Sequence, residues 1–180
     1  MTRKKPKEDK PVEFISLMLH ESDRGCVRAS VAAIDYDLKR LVKMVFSNRS
    51  TLTPSHADSL LKPPHGQLLS SWLQTSLLGA FGIINHDLVS ARNKIGKVRN
   101  DFAHWQSCAK IEKVHTDSLI DSMVAYSNEI KRNVEIMERA VHEELGADHS
   151  CSIHRINFMA AALTIWCLIV ELCHEHDGLN

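Results

Sequence analysis

The sequence has no excess of charge of either sign, few aromatic residues and no hydrophobic run long enough to cross a membrane. Lysine and arginine together number 22, as do aspartate and glutamate, so any contact with nucleic acid must come from a local patch. The longest apolar run, from Phe158 to Val170, is interrupted only by Thr164 and is shorter than the roughly 20 residues that a membrane span needs. We therefore expect no membrane contact and interpret this run as a buried helix.

We also expect no secretory signal, because the first ten residues are basic and hydrophilic. The five cysteines are odd in number, which does not suit a complete disulfide framework. Both features favour a reducing, cytoplasmic location. At 180 residues the length suits one domain. We expect a disordered basic tail over residues 1–10 and one folded domain over residues 11–177.

No segment alternates apolar and polar residues over a length that predicts a strand, and no internal repeat is present. Apolar residues instead recur every three or four positions, which is typical of amphipathic helices. The predicted helices cover residues 11–21, 23–46, 54–61, 68–81, 85–104, 116–145 and 153–173, with a break allowed in the sixth. The sequence therefore predicts an all-α, single-domain helical bundle of five to seven helices without a sheet.

Particular residues are expected to shape these helices. Asp23 is a candidate cap for the second helix, whose charged residues, including Asp35 and Asp37, are expected on its outer face. Gly82 is well placed to end the fourth helix in the left-handed conformation. Asn85 is expected to cap the helix that follows.

The helix from Asn85 to His104 has the clearest amphipathic pattern and the densest set of reactive side chains. Its apolar stripe consists of Leu88, Ala91, Ile95, Val98 and Phe102. Its last turn carries Arg99, Asn100 and His104. An ideal helix turns by about 100° per residue, so Arg99 and His104 should lie about 140° apart. They could meet at one point if the helix ends before His104, or if a second copy completes the site across a symmetric interface.

An arginine and a histidine at one phosphate can cleave RNA without a metal. The histidine can take a proton from the ribose 2′-hydroxyl or give one to the leaving oxygen, and the guanidinium can stabilise the phosphoryl charge. The same spacing also fits a structural role. In that alternative Arg99 binds a carboxylate such as Asp101 or Asp121, and His104 interacts with the C-terminus of the helix. Spacing alone leaves both interpretations open.

The segment Arg99-Asn100-Asp101-Phe102-Ala103-His104 resembles the arginine-x4–6-histidine motif of the HEPN superfamily. Over roughly residues 23–115 the chain also resembles the mannitol operon repressor family, through the segments 23–25, 64–70, 78–84 and 97–104. The HEPN resemblance implies a helical bundle that dimerises, with paired motifs forming a metal-independent endoribonuclease in the dimer cleft. The repressor resemblance implies a transcriptional regulator.

Other residues extend the candidate site or compete with it. Lys94, Lys97 and Lys110 are candidate RNA contacts, and Trp105 is the expected base-stacking residue, since Trp72 and Trp166 lie on apolar stripes. Histidine and cysteine cluster at residues 149–154 and 173–176, on opposite ends of a helix about 30 Å long, so one chain cannot join them around one ion. Cys108 has only His104 nearby as an activating base. The sequence predicts neither a metal nor another cofactor.

These observations predict a homodimeric regulator of the mannitol-repressor or HEPN type. In its enzymatic form His104 is the general acid or base, Arg99 stabilises the phosphoryl charge and Asn100 orients one of the two. In the competing form the protein is a non-enzymatic co-repressor or interaction module that acts through protein–protein contacts. No helix-turn-helix with a basic recognition helix is present, so direct reading of DNA is not expected.

Overall fold

Helices form nearly all of the computed structural model, which describes residues 10–49, 59, 61, 70–104, 110–146 and 151–177. These ranges contain seven α-helices and a short 3-10 helix, and no strand occurs in them. The predicted all-α bundle is confirmed. The helices are α1 (Lys10–Leu19), α2 (Asp23–Arg49), α3 (Ser71–Ala80), α4 (His86–His104), α5 (Lys113–Asp121), α6 (Ser127–Leu145) and α7 (Ile153–Asp177), with the 3-10 helix at Val124–Tyr126.

Two long helices, α2 and α7, form the centre of the bundle. Helices α1 and α6 pack against α7, helices α3 and α4 pack against α2, and α5 lies against α4 and α7. In α7 every residue from Phe158 to Trp166 is buried, as expected for this apolar run. The helix is long and apolar enough to cross a membrane, but 67% of its most apolar 18-residue window is buried inside the protein. A core helix meets the same criteria, so this property is weak evidence for a membrane span.

One charged residue predicted on the outer face of α2 is instead part of the core. Asp37 is buried because its Oδ2 accepts a hydrogen bond of 2.9 Å from Trp166 Nε1. The ring of Trp166 also stacks on Phe14, with 4.8 Å between the ring centroids. A buried carboxylate is tolerated where hydrogen bonds replace the water that it loses. The expectation for Asp37 was wrong because periodicity does not reveal such a partner.

A second polar cluster joins α1, α2 and α7 around Arg155. Its Nη1 donates to Asp23 Oδ1 at 3.0 Å, and its Nη2 donates to the backbone oxygens of Met18, Leu19 and Glu21. Asp23 Oδ2 accepts the backbone N–H of Ile111 at 2.6 Å. Asp23 is thus a tertiary contact and not the cap that its position suggested. The side chain of Ser22 provides that cap by accepting the N–H of Gly25.

In the connection between α3 and α4, Gly82 and Asn85 have the structural roles that the sequence predicts. Gly82 has φ of +66°, the left-handed conformation that ends many helices, and the N–H of Ile83 returns to the oxygen of Leu78. Asn85 Oδ1 accepts the N–H of Leu88 at 2.9 Å, which confirms Asn85 as the cap of α4. The five residues of the predicted apolar stripe of α4 are all buried. Because this stripe packs in the core, the polar face on the opposite side of α4 is exposed.

Replacing Asn85 by alanine should lower the free energy of unfolding by about 1 kcal/mol, since the cap of α4 is lost. The substitution also removes the hydrogen bond from Asn85 Nδ2 to the hydroxyl of Tyr126. Ser70→Ala is the matched control, because Ser70 precedes α3 without making a side-chain cap bond. Urea denaturation of both variants checks this expectation, and equal losses of stability would contradict it.

The region predicted as one long helix over residues 116–145 is divided. Helix α5 ends at Asp121, residues 122–123 form a turn, and the 3-10 helix precedes α6. Met123 is fully buried at this break, and Gly146 follows the end of α6. The break turns the chain so that α5 reaches α4 while α6 lies along α7. It therefore lets one segment cover two sides of the bundle.

Candidate functional site

The motif residues Arg99, Asn100 and His104 are all exposed on the last turns of α4. The helix continues through His104, as predicted, which removes the alternative in which it ends earlier and turns the imidazole back. On a continuous helix Arg99 and His104 are separated by about 140° around the axis and by about 7.5 Å along it. A single chain therefore does not direct both side chains at one atom.

Arg99 is held by its neighbour and not by an acid. Its Nε and Nη2 both donate to Asn100 Oδ1, at 3.2 and 2.9 Å. Within the part of the chain that the structure describes, no carboxylate forms an ion pair with Arg99, so neither Asp101 nor Asp121 has the structural role considered above. The guanidinium is thus fixed by a neutral oxygen, which leaves its charge available to an anion.

A cavity of about 560 Å³ lies between this face of α4 and the start of α3. Among the residues that the structure describes, its walls contain three basic side chains and no carboxylate. The residues that line it are Ser70 directly before α3, Ser71 and Trp72 from α3, and Arg92, Asn93, Gly96, Lys97, Arg99 and Asn100 from α4. In projection down an ideal helix, the α4 residues span an arc of about 160° from Arg99 to Lys97. His104 projects within that arc, one turn beyond Asn100, but does not line the cavity.

The innermost cation of the cavity is Arg92, which sequence analysis did not assign to the site. Only 5% of its surface is exposed, and its Nη2 donates to Asp35 Oδ1 at 2.5 Å. Gly96 provides the space for this arrangement, because a Cβ added there would lie 2.7 Å from Arg92 Nη1. Arg92 stands seven residues before Arg99 and borders the apolar stripe, which was the only signal of its position.

Helix α3 is rotated relative to the prediction from its apolar residues. Gln74 and Thr75 are buried, whereas Trp72, expected in the core, is 62% exposed at the edge of the cavity. Burial of Thr75 is possible because its hydroxyl donates to the oxygen of Ser71 at 2.7 Å. Trp166 is buried as expected. Trp72 is therefore an exposed ring at the cavity that sequence analysis missed.

The remaining predicted RNA contacts are dispersed. Lys97 lies at the cavity, but Lys94 is half-buried on another side of α4 and Lys110 is exposed before α5. Trp105, the predicted stacking residue, lies outside the described residues, as does Cys108. The structure thus brings together Lys97, Arg99 and Asn100 from the predicted set.

The histidine and cysteine clusters do not extend this site. In the described ranges no group of three or more potential metal ligands is close enough to hold an ion, and His149 lies outside those ranges. Cys26 and Cys167 are not activated as nucleophiles, because burial raises the pKa of Cys26 to about 12 and that of Cys167 to about 11. Burial also raises the pKa of Cys151.

Fold and site together define an all-α helical protein with a cationic cavity beside its amphipathic helix α4. The chain matches no protein-family model, no curated protein and no solved structure. Its chemistry must therefore be inferred from its own residues.

Proposed function

We propose that this protein is a cytoplasmic regulator of the HEPN or mannitol-repressor type that binds RNA over the polar face of α4. The observation that carries the proposal is the grouping of Lys97, Arg99 and Asn100 at a cavity whose described lining contains no carboxylate. Basic side chains held without acidic partners attract phosphate groups, and an overall charge of zero leaves this attraction to the local patch. Trp72 adds an exposed ring on which a base can stack.

In the enzymatic form of this proposal two copies of the chain complete one site. The ribose 2′-oxygen attacks the adjacent phosphorus while the bond from phosphorus to the 5′-oxygen breaks, which yields a cyclic phosphate and a free 5′-hydroxyl. His104 takes the proton of the attacking hydroxyl or supplies one to the leaving oxygen. Arg99 stabilises the phosphoryl oxygens, and Asn100 is a positioning residue because its Oδ1 holds the guanidinium.

A second candidate function is a non-enzymatic interaction module. The separation of Arg99 from His104 around one continuous helix favours it, because a single chain lacks a converged catalytic pair. In this alternative the exposed polar face of α4 binds a partner protein, and no RNA bond is broken. The two candidates differ in the fate of the RNA, which makes them separable by one assay.

Wild-type protein incubated with mixed RNA and a metal chelator should cleave the RNA if the enzymatic proposal is correct. His104→Ala should reduce the rate by at least about 100-fold, the lower range for removal of a general acid or base. His86→Ala is the matched control, because His86 lies at the other end of α4 with 93% of its side chain exposed. Gel electrophoresis of the RNA measures the rates.

Equal cleavage by the wild type and His104→Ala, or cleavage by neither, would exclude the catalytic role of His104. Absence of RNA cleavage would favour the interaction module. Sedimentation at micromolar concentration tests the dimer separately. A monomer there would remove the composite site, because one chain does not bring Arg99 and His104 together.

A further inference from the structure

The start of α3 lines the cationic cavity and has backbone donors without an acceptor inside the helix. The first intrahelical bond of α3 runs from the N–H of Gln74 to the oxygen of Ser70, so the N–H groups of Ser71, Trp72 and Leu73 have no carbonyl of the helix as acceptor. Ser70 has an extended backbone, with φ of −74° and ψ of 123°, and its side chain makes no cap bond. Ser70, Ser71 and Trp72 line the cavity. An uncapped helix start of this kind favours negative charge.

A buried group on the opposite wall points to the same kind of ligand. Arg92 is 95% buried, yet its Nε has no hydrogen-bond partner among the residues that the structure describes. Its Nη2 is used by Asp35, and its Nη1 lies over Gly96, which also lines the cavity. A buried guanidinium that uses only part of its donors costs free energy, so an acceptor that reaches the part of Arg92 lining the cavity would stabilise it.

The charges around the cavity fit a group with more than one negative oxygen. Asp35 offsets the charge of Arg92, while Lys97 and Arg99 have no ion pair in the described ranges. Two uncompensated cations therefore face the backbone donors of α3. Planar guanidinium groups and helix N-termini both recognise phosphate, and Trp72 at the edge can stack on an attached base.

We propose that the cavity between the N-terminus of α3 and the Arg92–Asn100 segment of α4 is a phosphate-binding subsite for RNA. The N–H groups of residues 71–73 and the Arg92 guanidinium bind the phosphate oxygens, and Lys97 and Arg99 compensate the remaining charge. This inference deepens the proposed RNA binding and rests on it for the ligand, but it needs neither cleavage nor His104.

Ser71→Pro tests the subsite with little disturbance of the fold. Proline suits the first position of a helix, and the extended conformation of Ser70 suits a residue before proline, so α3 should persist. The substitution removes one N–H donor from the cavity. Ser71→Ala is the matched control, since it removes the hydroxyl but keeps the N–H. Thermal denaturation of both variants verifies that each is folded.

Calorimetric titration of the full chain with inorganic phosphate, and with one RNA oligonucleotide carrying either a 5′-phosphate or a 5′-hydroxyl, provides the readout. Ser71→Pro should weaken binding about tenfold, as expected for one charge-assisted hydrogen bond, and Ser71→Ala less than about twofold. Stronger binding of the 5′-phosphorylated RNA assigns the subsite to a terminal phosphate. Equal binding of both RNAs, with the same sensitivity to Ser71→Pro, assigns it to the backbone.

Equal affinity of Ser71→Pro and wild type for every probe would overturn the subsite while leaving RNA binding elsewhere on α4 intact. Absence of phosphate binding to the wild type, together with RNA binding that does not respond to Ser71→Pro, would overturn it as well. Phosphate binding that responds to Ser71→Pro without any RNA binding would support the subsite and contradict the proposed function. The two failures are therefore distinguishable.

Discussion

Arg155→Ala should lower the free energy of unfolding by about 3–5 kcal/mol, the range for removing one partner of a buried ion pair. The side chains of Arg155 and Asp23 are only 16% and 14% exposed. Without the guanidinium, the carboxylate of Asp23 keeps the N–H of Ile111 but loses its countercharge. The backbone oxygens of Met18, Leu19 and Glu21, at the end of α1 and just after it, also lose the donor that Arg155 supplies.

For a protein of this size the loss corresponds to a fall in melting temperature of roughly 6–20 °C. Arg155→Lys should recover only part of the lost stability. One ammonium group cannot reach both the carboxylate of Asp23 and the three backbone oxygens, as the guanidinium does. Arg139→Ala is the control, since Arg139 is exposed on α6 and its loss should change stability by less than about 0.5 kcal/mol. A change below 1 kcal/mol for Arg155→Ala would show that the cluster does not hold α1 to α7.

Helix positions and ends were largely predictable from the sequence, because their causes are local. The stripe from Leu88 to Phe102 depends only on helical spacing, and the cap at Asn85 depends on one side chain and the next turn. The left-handed conformation of Gly82 follows from its missing Cβ. Each of these features is encoded within a few residues.

Buried polar pairs were not predictable, because their partners are distant in the chain. Arg155 and Asp23 are 132 residues apart, and Trp166 and Asp37 are 129 apart. Periodicity shows that a charged residue borders an apolar stripe, but only the packing of a second helix decides whether it is exposed or paired. Asp37 was therefore placed outside the core, and Asp23 was assigned to a cap.

The candidate site was also predictable only in its local part. Arg99, Asn100 and Lys97 were found because a motif and a polar face are readable along one helix. The other wall of the cavity comes from the start of α3. This helix is rotated so that Gln74 and Thr75 are buried, which the pattern of its apolar residues did not predict. The exposure of Trp72 follows from that rotation. The catalytic pairing of Arg99 with His104 stays a prediction, because it requires a second copy of the chain.

Phe102→Ala should cost about 3–5 kcal/mol of unfolding free energy, as expected for a large cavity in a packed core. Phe102 is fully buried between the exposed residues Asn100 and His104, and its ring lies 5.3 Å from that of His115. His115 Nδ1 in turn accepts the backbone N–H of Glu112, which positions the start of α5. The ring of Phe102 therefore holds the last turn of α4 against the start of α5.

Because His104 is exposed, His104→Ala should leave stability within about 0.5 kcal/mol of the wild type, in contrast to Phe102→Ala two positions earlier. Ala103→Ser provides a second exposed control. Urea denaturation with circular dichroism measures all three variants. If Phe102→Ala cost less than 1 kcal/mol, the last turn of α4 would not be packed as described.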